Sequence, residues 1–284
     1  MHIAHPGEPA LTPADGLPVY TPDKIRQLSG IDAIVVFCTM DFSLVIRRCE
    51  QHLRPDILFV PASREAIVAA PVRDASVGDW ATRSSILTYL YVSGMRGHFA
   101  EFGTFWGRAF YGSYYELHHW LQGNFFAFDS FEGLSEPDPS EIKYTSGDFI
   151  KGAYGFNHAS FETLADILDI PKKRIVTVPG FFDKSLTPTK AAQLGIAPRS
   201  LSVCRIDCDL LDPTLAVLDF ITPLLDDGAL VYFDDWRLCR ADPNIGERGA
   251  VLRWLKQNPS FELVDFHSIH WQHQWFIFHR NRPV

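Results

Sequence analysis

The chain has 284 residues, with 46% hydrophobic and 21% charged content, a composition that excludes disordered and fibrous classes. Its formal net charge of −8 argues against a phosphate-backbone partner, which needs a basic face. The length fits one large α/β domain or about two smaller ones, and suffices to bury a core without staples.

Met1 to Gly16 is polar and proline-rich, with no secretory apolar core, and no apolar run approaches the ~18 residues of a membrane span. Five cysteines, Cys38, Cys49, Cys204, Cys208 and Cys239, lie in otherwise apolar segments. Free thiols in a reducing cytoplasm are the simplest reading. Zinc is the rival, but Cys204 and Cys208 are spaced C-x3-C, not the C-x2-C of a zinc knuckle.

Pro6, Pro9, Pro13, Pro18 and Pro22 predict an extended arm, because fixed φ angles and missing donors disfavour regular structure. Ile31–Cys38 reads as a strand, Phe42–Leu53 as a helix and Asp56–Val60 as a second strand. We therefore divide the chain into an N-terminal extension, 1–78, and a main domain, 79–284. The extension is expected to serve as acceptor-side, lid or dimer material. The main domain opens with a predicted helix, Trp80–Val92.

From His98 onward short apolar runs alternate with helical ones. The predicted strands are His98–Phe102, Phe125–Phe128, Arg174–Val178, Leu201–Ile206 and Ala229–Phe233. The predicted helices are Trp106–Leu121, Phe161–Leu168, Pro213–Leu225 and Gly246–Gln257. Such alternation implies crossover connections and a doubly wound, mostly parallel α/β sheet. The last runs, Phe261–Ser268 and Gln274–His279, are too close for a helix between them, so the final strand should be antiparallel to its neighbour.

In an open α/β sheet, ligands bind beyond the carboxyl ends of the strands. After the first strand comes Glu101-Phe-Gly-Thr-Phe-Trp-Gly107, whose G-x-x-x-G spacing is not a dinucleotide fingerprint. Asp129 ends the second run, where a carboxylate can bind ribose hydroxyls. Gly180 and Phe181 follow the third run, the aromatic suited to stacking on a base. Asp207 and Asp209 follow the fourth, and Asp234 and Asp235 the fifth. Converging like charges need protons, a basic partner or a divalent cation, and hard oxygen ligands favour Mg²⁺, Ca²⁺ or Mn²⁺. The bland alternative has Asp235 capping the next segment and Asp209 in solvent.

Several of these segments carry a resemblance. Gly97-His-Phe-Ala-Glu-Phe-Gly103, Phe128-Asp-Ser-Phe-Glu-Gly-Leu134, Gly180-Phe-Phe-Asp-Lys-Ser-Leu186, Arg205-Ile-Asp-Cys-Asp-Leu210 and Phe233-Asp-Asp-Trp236 occur in the order seen in class I S-adenosylmethionine-dependent methyltransferases. Within these, residues about 97 to 257 most resemble the macrocin O-methyltransferase family, which methylates sugar hydroxyls on antibiotics. The resemblance implies a seven-stranded Rossmann-like sheet and an O-methyltransferase using S-adenosylmethionine and Mg²⁺ on a small hydroxylated acceptor. It implies that Glu101, Gly103 and Thr104 face the methionine moiety and that Asp129 and Ser130 take the ribose. Gly180 and Phe181 would line the adenine side. Asp207, Asp234 and Asp235 match the family's magnesium ligands; Asp207 is counted with the cofactor and catalytic sets as well, and Asp209 is the candidate base. The chain departs from the pattern at Cys208, usually glycine, and at Leu211 and Trp236, usually tyrosine; Pro213 replaces a small polar residue.

Other features have local readings. His267, His270 and His273 straddle the final turn, where alternation scatters them over different faces. His118 and His119 are read as a surface pair, Trp254 as core, and Ser135–Gly155 as a lid or a surface excursion. A homo-oligomer is compatible with the extension. The competing functions are a nicotinamide oxidoreductase, disfavoured by the missing glycine fingerprint, and a non-catalytic nucleotide-binding scaffold.

Overall fold

The computed structural model describes residues 80–144, 149–268 and 271–280, together with four short strands nearer the N-terminus. Of those four, His2–Ile3 pairs with Val19–Tyr20 and Ala33–Val36 with Leu58–Pro61, both in parallel. The second pair coincides with the two strands expected in the extension; the helix expected between them, and most of the proline-rich stretch, lie outside the described residues.

The main sheet has seven strands: β1 His98–Phe102, β2 Phe125–Asp129, β3 Ile175–Pro179, β4 Leu201–Ile206, β5 Leu225–Phe233, β6 Phe261–His267 and β7 Gln274–Arg280. Their spatial order is β6-β7-β5-β4-β1-β2-β3. Every neighbouring pair is parallel except those made by β7, which is antiparallel to both β5 and β6. The short β6–β7 connection leaves room only for that reversal. The chain switches direction of travel across the sheet between β1 and β4, which is where such folds open a ligand crevice.

Five longer helices accompany the sheet: α1 Trp80–Ser93, α2 Arg108–Leu117, α3 His158–Ile167, α4 Leu211–Ile221 and α5 Gly246–Gln257. β1, β2 and β4 are buried along almost their whole length, as a parallel sheet sandwiched between layers requires. Alternation along β1 sends Phe99 and Phe102 to opposite faces. Phe99 meets Phe110 of α2, whereas Phe102 stacks on Phe128 and meets Phe220 of α4. The fully buried rings of Phe99, Phe102, Phe110 and Phe128 each contribute about 1.5–3 kcal/mol over exposure. Trp254, also in the core, packs on Phe261 and Phe278.

Helix boundaries differ from expectation where a cap intervenes. Gly107 is left-handed (φ 91°), so α2 begins at Arg108 rather than Trp106. Asn157 caps Ser160 through its side-chain oxygen, which starts α3 at His158, three residues early. α4 starts at Leu211 because the distant Glu141 carboxylate accepts its amide, a cap that local sequence does not reveal.

Candidate active site

The glycine loop after β1 is held on three sides. The Gly103 amide donates to the Phe128 carbonyl at 2.9 Å, and the Asp207 amide donates to the Phe102 carbonyl at 2.9 Å. Asp129, at the end of β2, accepts the amides of Thr104 (2.7 Å) and Phe105 (2.9 Å) on Oδ2 and that of Phe131 (2.7 Å) on Oδ1. Burial raises the Asp129 pKa, outweighing the three amide bonds that pull it down. The carboxylate thus shapes the loop as well as facing the crevice. Ser130 Oγ donates to the Gly133 carbonyl and accepts the Glu132 amide, fixing the next turn. The Gly180 amide donates to the Asp129 carbonyl, which brings Phe181 beside that turn.

A cavity of about 390 Å³ opens over these strand ends, within the range of small-ligand pockets. Gly103, Asp129, Ser130, Phe181, Asp207 and Asp209 line it, and Asp234 and Asp235 complete its acidic side. Phe105, Phe149 and Tyr154 add an aromatic wall. Of the residues assigned from the sequence, Glu101, Thr104 and Gly180 do not line the cavity. Thr104 is buried against Asp129.

Glu101 is 1% exposed and pairs with Arg205, whose Nε lies 3.4 Å from Glu101 Oε2. Register explains the pair: Glu101, Arg205 and Tyr232 are directly adjacent across β1, β4 and β5. The Arg205 guanidinium lies 4.3 Å from the centre of the Tyr232 ring, and the Tyr232 hydroxyl donates to Asp234 Oδ1 at 2.6 Å. His273 Nδ1–H donates to the Asp234 carbonyl at 2.6 Å, so this histidine is buried beside the cluster. His270 lies outside the described residues. His118 stacks on Tyr114 and is half-buried; its neighbour His119 is exposed.

Asp207, Asp234 and Asp235 each place an oxygen within 4.8 Å of the others. Burial, then repulsion from Asp234 and Asp235, holds the Asp207 carboxyl well above the usual carboxylate range; Arg205 opposes the shift. Asp209 and Asp235 hydrogen-bond to each other, and Gln272 also donates to Asp235. Burial pushes Asp209 up to about 8 and Asp235 well above its ordinary value, as expected of adjacent carboxyls sharing protons. Asp209 is left-handed (φ 61°), a strained conformation for a residue with a side chain and one that proteins concentrate at functional sites.

Two buried glutamates escaped the sequence reading. Glu247, in the first turn of α5, accepts the amides of Cys208 (3.0 Å) and Asp235 (2.8 Å). Glu141, on a one-turn helix within 135–155, accepts those of Leu211 (2.8 Å) and Gly246 (3.1 Å) on one oxygen. An acid near a helix start and another in a polar loop are ordinary, and neither has a local pattern that marks it. Cys204, Cys208 and Cys239 are free and buried, with burial raising all three thiol pKa values, Cys239 to about 11. None joins a metal-binding grouping among the described residues.

The strand order, the reversed last strand and the crevice over β1, β2 and β4 define a Rossmann-like methyltransferase fold. Residues 83–272 match the family model described as macrocin-O-methyltransferase (TylF), and the chain belongs to that family. Among solved structures it is similar to the O-methyltransferase NovP, with 20% identity over 70% of this chain and 78% of that one, and a TM-score of 0.54. It is also similar to CalS11, a calicheamicin methyltransferase, with 18% identity over 84% and 86% of the two chains and a TM-score of 0.56. No curated protein matches the sequence significantly.

Proposed function

We propose that this protein transfers the methyl group of S-adenosylmethionine to a hydroxyl of a sugar or another natural-product acceptor, with a divalent cation, Mg²⁺, in the site. The observation that carries the reading is a cavity lined on one part by Gly103, Asp129, Ser130 and Phe181 and on another by Asp207, Asp209, Asp234 and Asp235. The first group suits a nucleoside and its methionine tail, and the second suits a cation and a hydroxyl. The donor set fits the cation, because three carboxylates converge within 4.8 Å and burial with mutual repulsion keeps Asp207 and Asp235 reluctant to ionise without a positive partner.

When bound, the sulfonium supplies an activated methyl and the cation stabilises negative charge developing on the acceptor oxygen. Asp207, Asp234 and Asp235 would hold the cation, and Tyr232 and His273 orient Asp234. Asp129 and Phe181 fix the nucleoside end so that attack on the methyl runs in line; good alignment can supply ~7–11 kcal/mol. Asp209 takes the hydroxyl proton on a carboxylate oxygen. Its raised pKa reflects burial and unneutralised neighbours, so it ionises more readily once those neighbours act as ligands. The wall of Phe105, Phe149 and Tyr154 excludes water and offers an apolar face to the acceptor. On the same reading, 79–284 is the catalytic domain and 1–78 an extension on the acceptor side.

Calorimetric titration with S-adenosylhomocysteine, with Mg²⁺ and after EDTA, tests this. Micromolar binding with a metal-dependent heat is expected. Binding indifferent to metal would remove the cation and keep the transfer; absence of binding in every condition would overturn both.

A further inference from the structure

We propose that Glu247 is the positioning residue of the acidic site, the group that fixes the separation of its two aspartate pairs. The inference rests on the metal-assisted reading above and concerns a residue outside the ligand set.

Glu247 is completely buried, and each of its oxygens is already committed. Oε1 accepts the Cys208 amide and Oε2 the Asp235 amide. Cys208 stands between Asp207 and Asp209 in the turn after β4, and Asp235 follows Asp234 in the turn after β5. One carboxylate therefore ties together the backbones of the two turns that carry all four aspartates. Its own base is fixed in turn, since Glu141 accepts the amide of the preceding Gly246.

Chemistry supports function over mere packing. Burying a fifth carboxyl beside four aspartates costs desolvation and like-charge repulsion. A neutral amide would avoid that repulsion. It has only one acceptor oxygen, however, and would turn an NH₂ toward the other amide. Only a carboxylate of this length accepts from both turns at once, and the N-terminus of α5 partly offsets its charge.

The test is Mn²⁺ titration of the EDTA-stripped protein by electron paramagnetic resonance, for the parent, Glu247→Gln and Glu247→Asp, beside calorimetry with S-adenosylhomocysteine. Gln keeps the shape but loses one acceptor; Asp keeps the charge but loses the reach. Both are expected to weaken Mn²⁺ binding about 10- to 100-fold, the usual effect of removing a group that supports a metal ligand. S-adenosylhomocysteine affinity, measured without metal, should stay within about twofold of the parent. Mn²⁺ affinity unchanged in both variants would overturn the inference. So would parallel loss of both ligands, which signals general loosening, or retained affinity in Glu247→Asp alone, which assigns the effect to charge. A parent that binds no Mn²⁺ would instead overturn the metal reading. Should the variants not fold, amide exchange in the parent decides: rapid exchange at Cys208 and Asp235 would refute the bridge.

Discussion

Gly103 has no side chain where the Asp207 carbonyl passes: a Cβ there would lie 1.8 Å from that oxygen. The glycine is also left-handed, at φ +84°. The loop after β1 and the strand end that delivers the first aspartate are thus packed backbone against backbone. Gly103→Ala should therefore damage both halves of the site. We expect a stability loss of at least ~1–3 kcal/mol from the backbone strain alone, and weaker binding of both S-adenosylhomocysteine and Mn²⁺. Thermal unfolding with paired titrations checks this; loss of only one ligand would show that the halves are independent.

Much of this arrangement was legible because each feature is local. His98–Phe102 and Leu201–Ile206 were bounded by their own apolar runs, and Asp129, Asp207, Asp234 and Asp235 stand at strand ends where the fold places ligands. What was hidden depends on register and distance. Glu101 lies one residue before a strand end yet faces Arg205 across the sheet, a pairing set by β1–β4 register. Glu141 and Glu247 act 70 and 39 residues away from Leu211 and Cys208, so no local pattern announces them.

Asp129 is both a wall of the cavity and the keystone of the loop around it. Three backbone amides share its two oxygens, and an asparagine has only one oxygen to offer. Asp129→Asn should leave at least one buried amide facing an NH₂, costing about 1–3 kcal/mol. Affinity for S-adenosylhomocysteine should fall about tenfold or more, because the displaced loop carries Gly103 and Phe105. Denaturant unfolding and calorimetry measure the two effects; unchanged stability would contradict the three-amide geometry.

Glu141 anchors the 135–155 segment to the first turns of α4 and α5. The far end of the segment is also clipped to the residue before it: the Leu134 amide donates to the Ala153 carbonyl at 2.8 Å, and the Gly152 amide to the Leu134 carbonyl at 3.0 Å. Glu141→Ala removes the acceptor for two amides while leaving that clip intact. We expect faster hydrogen exchange at Leu211 and Gly246 and readier proteolysis near 139–144, with the sheet unaffected. Exchange that changes equally in β2 and β4 would show global destabilisation instead.

The acidic cluster dictates how stability responds to pH and metal. Burial and mutual repulsion raise the folded-state pKa values of Asp207, Asp209 and Asp235, Asp209 to about 8. In the unfolded chain the same groups titrate near 4. Between those limits the folded state holds more protons than the unfolded one, so its stability falls as pH rises. The contribution is complete below the unfolded pKa and is lost progressively as pH climbs through the folded one. EDTA-treated protein should therefore show a lower Tm at pH 8.5 than at pH 5.5. A divalent cation competes with those protons, so added Mg²⁺ should raise Tm more at pH 8.5 than at pH 5.5. Replacing Asp207 with Asn should flatten both trends, because it removes one raised carboxyl and one proposed metal ligand together. A Tm rising with pH in the metal-free protein would mean that these carboxyls are stabilised as anions by a positive partner rather than held protonated.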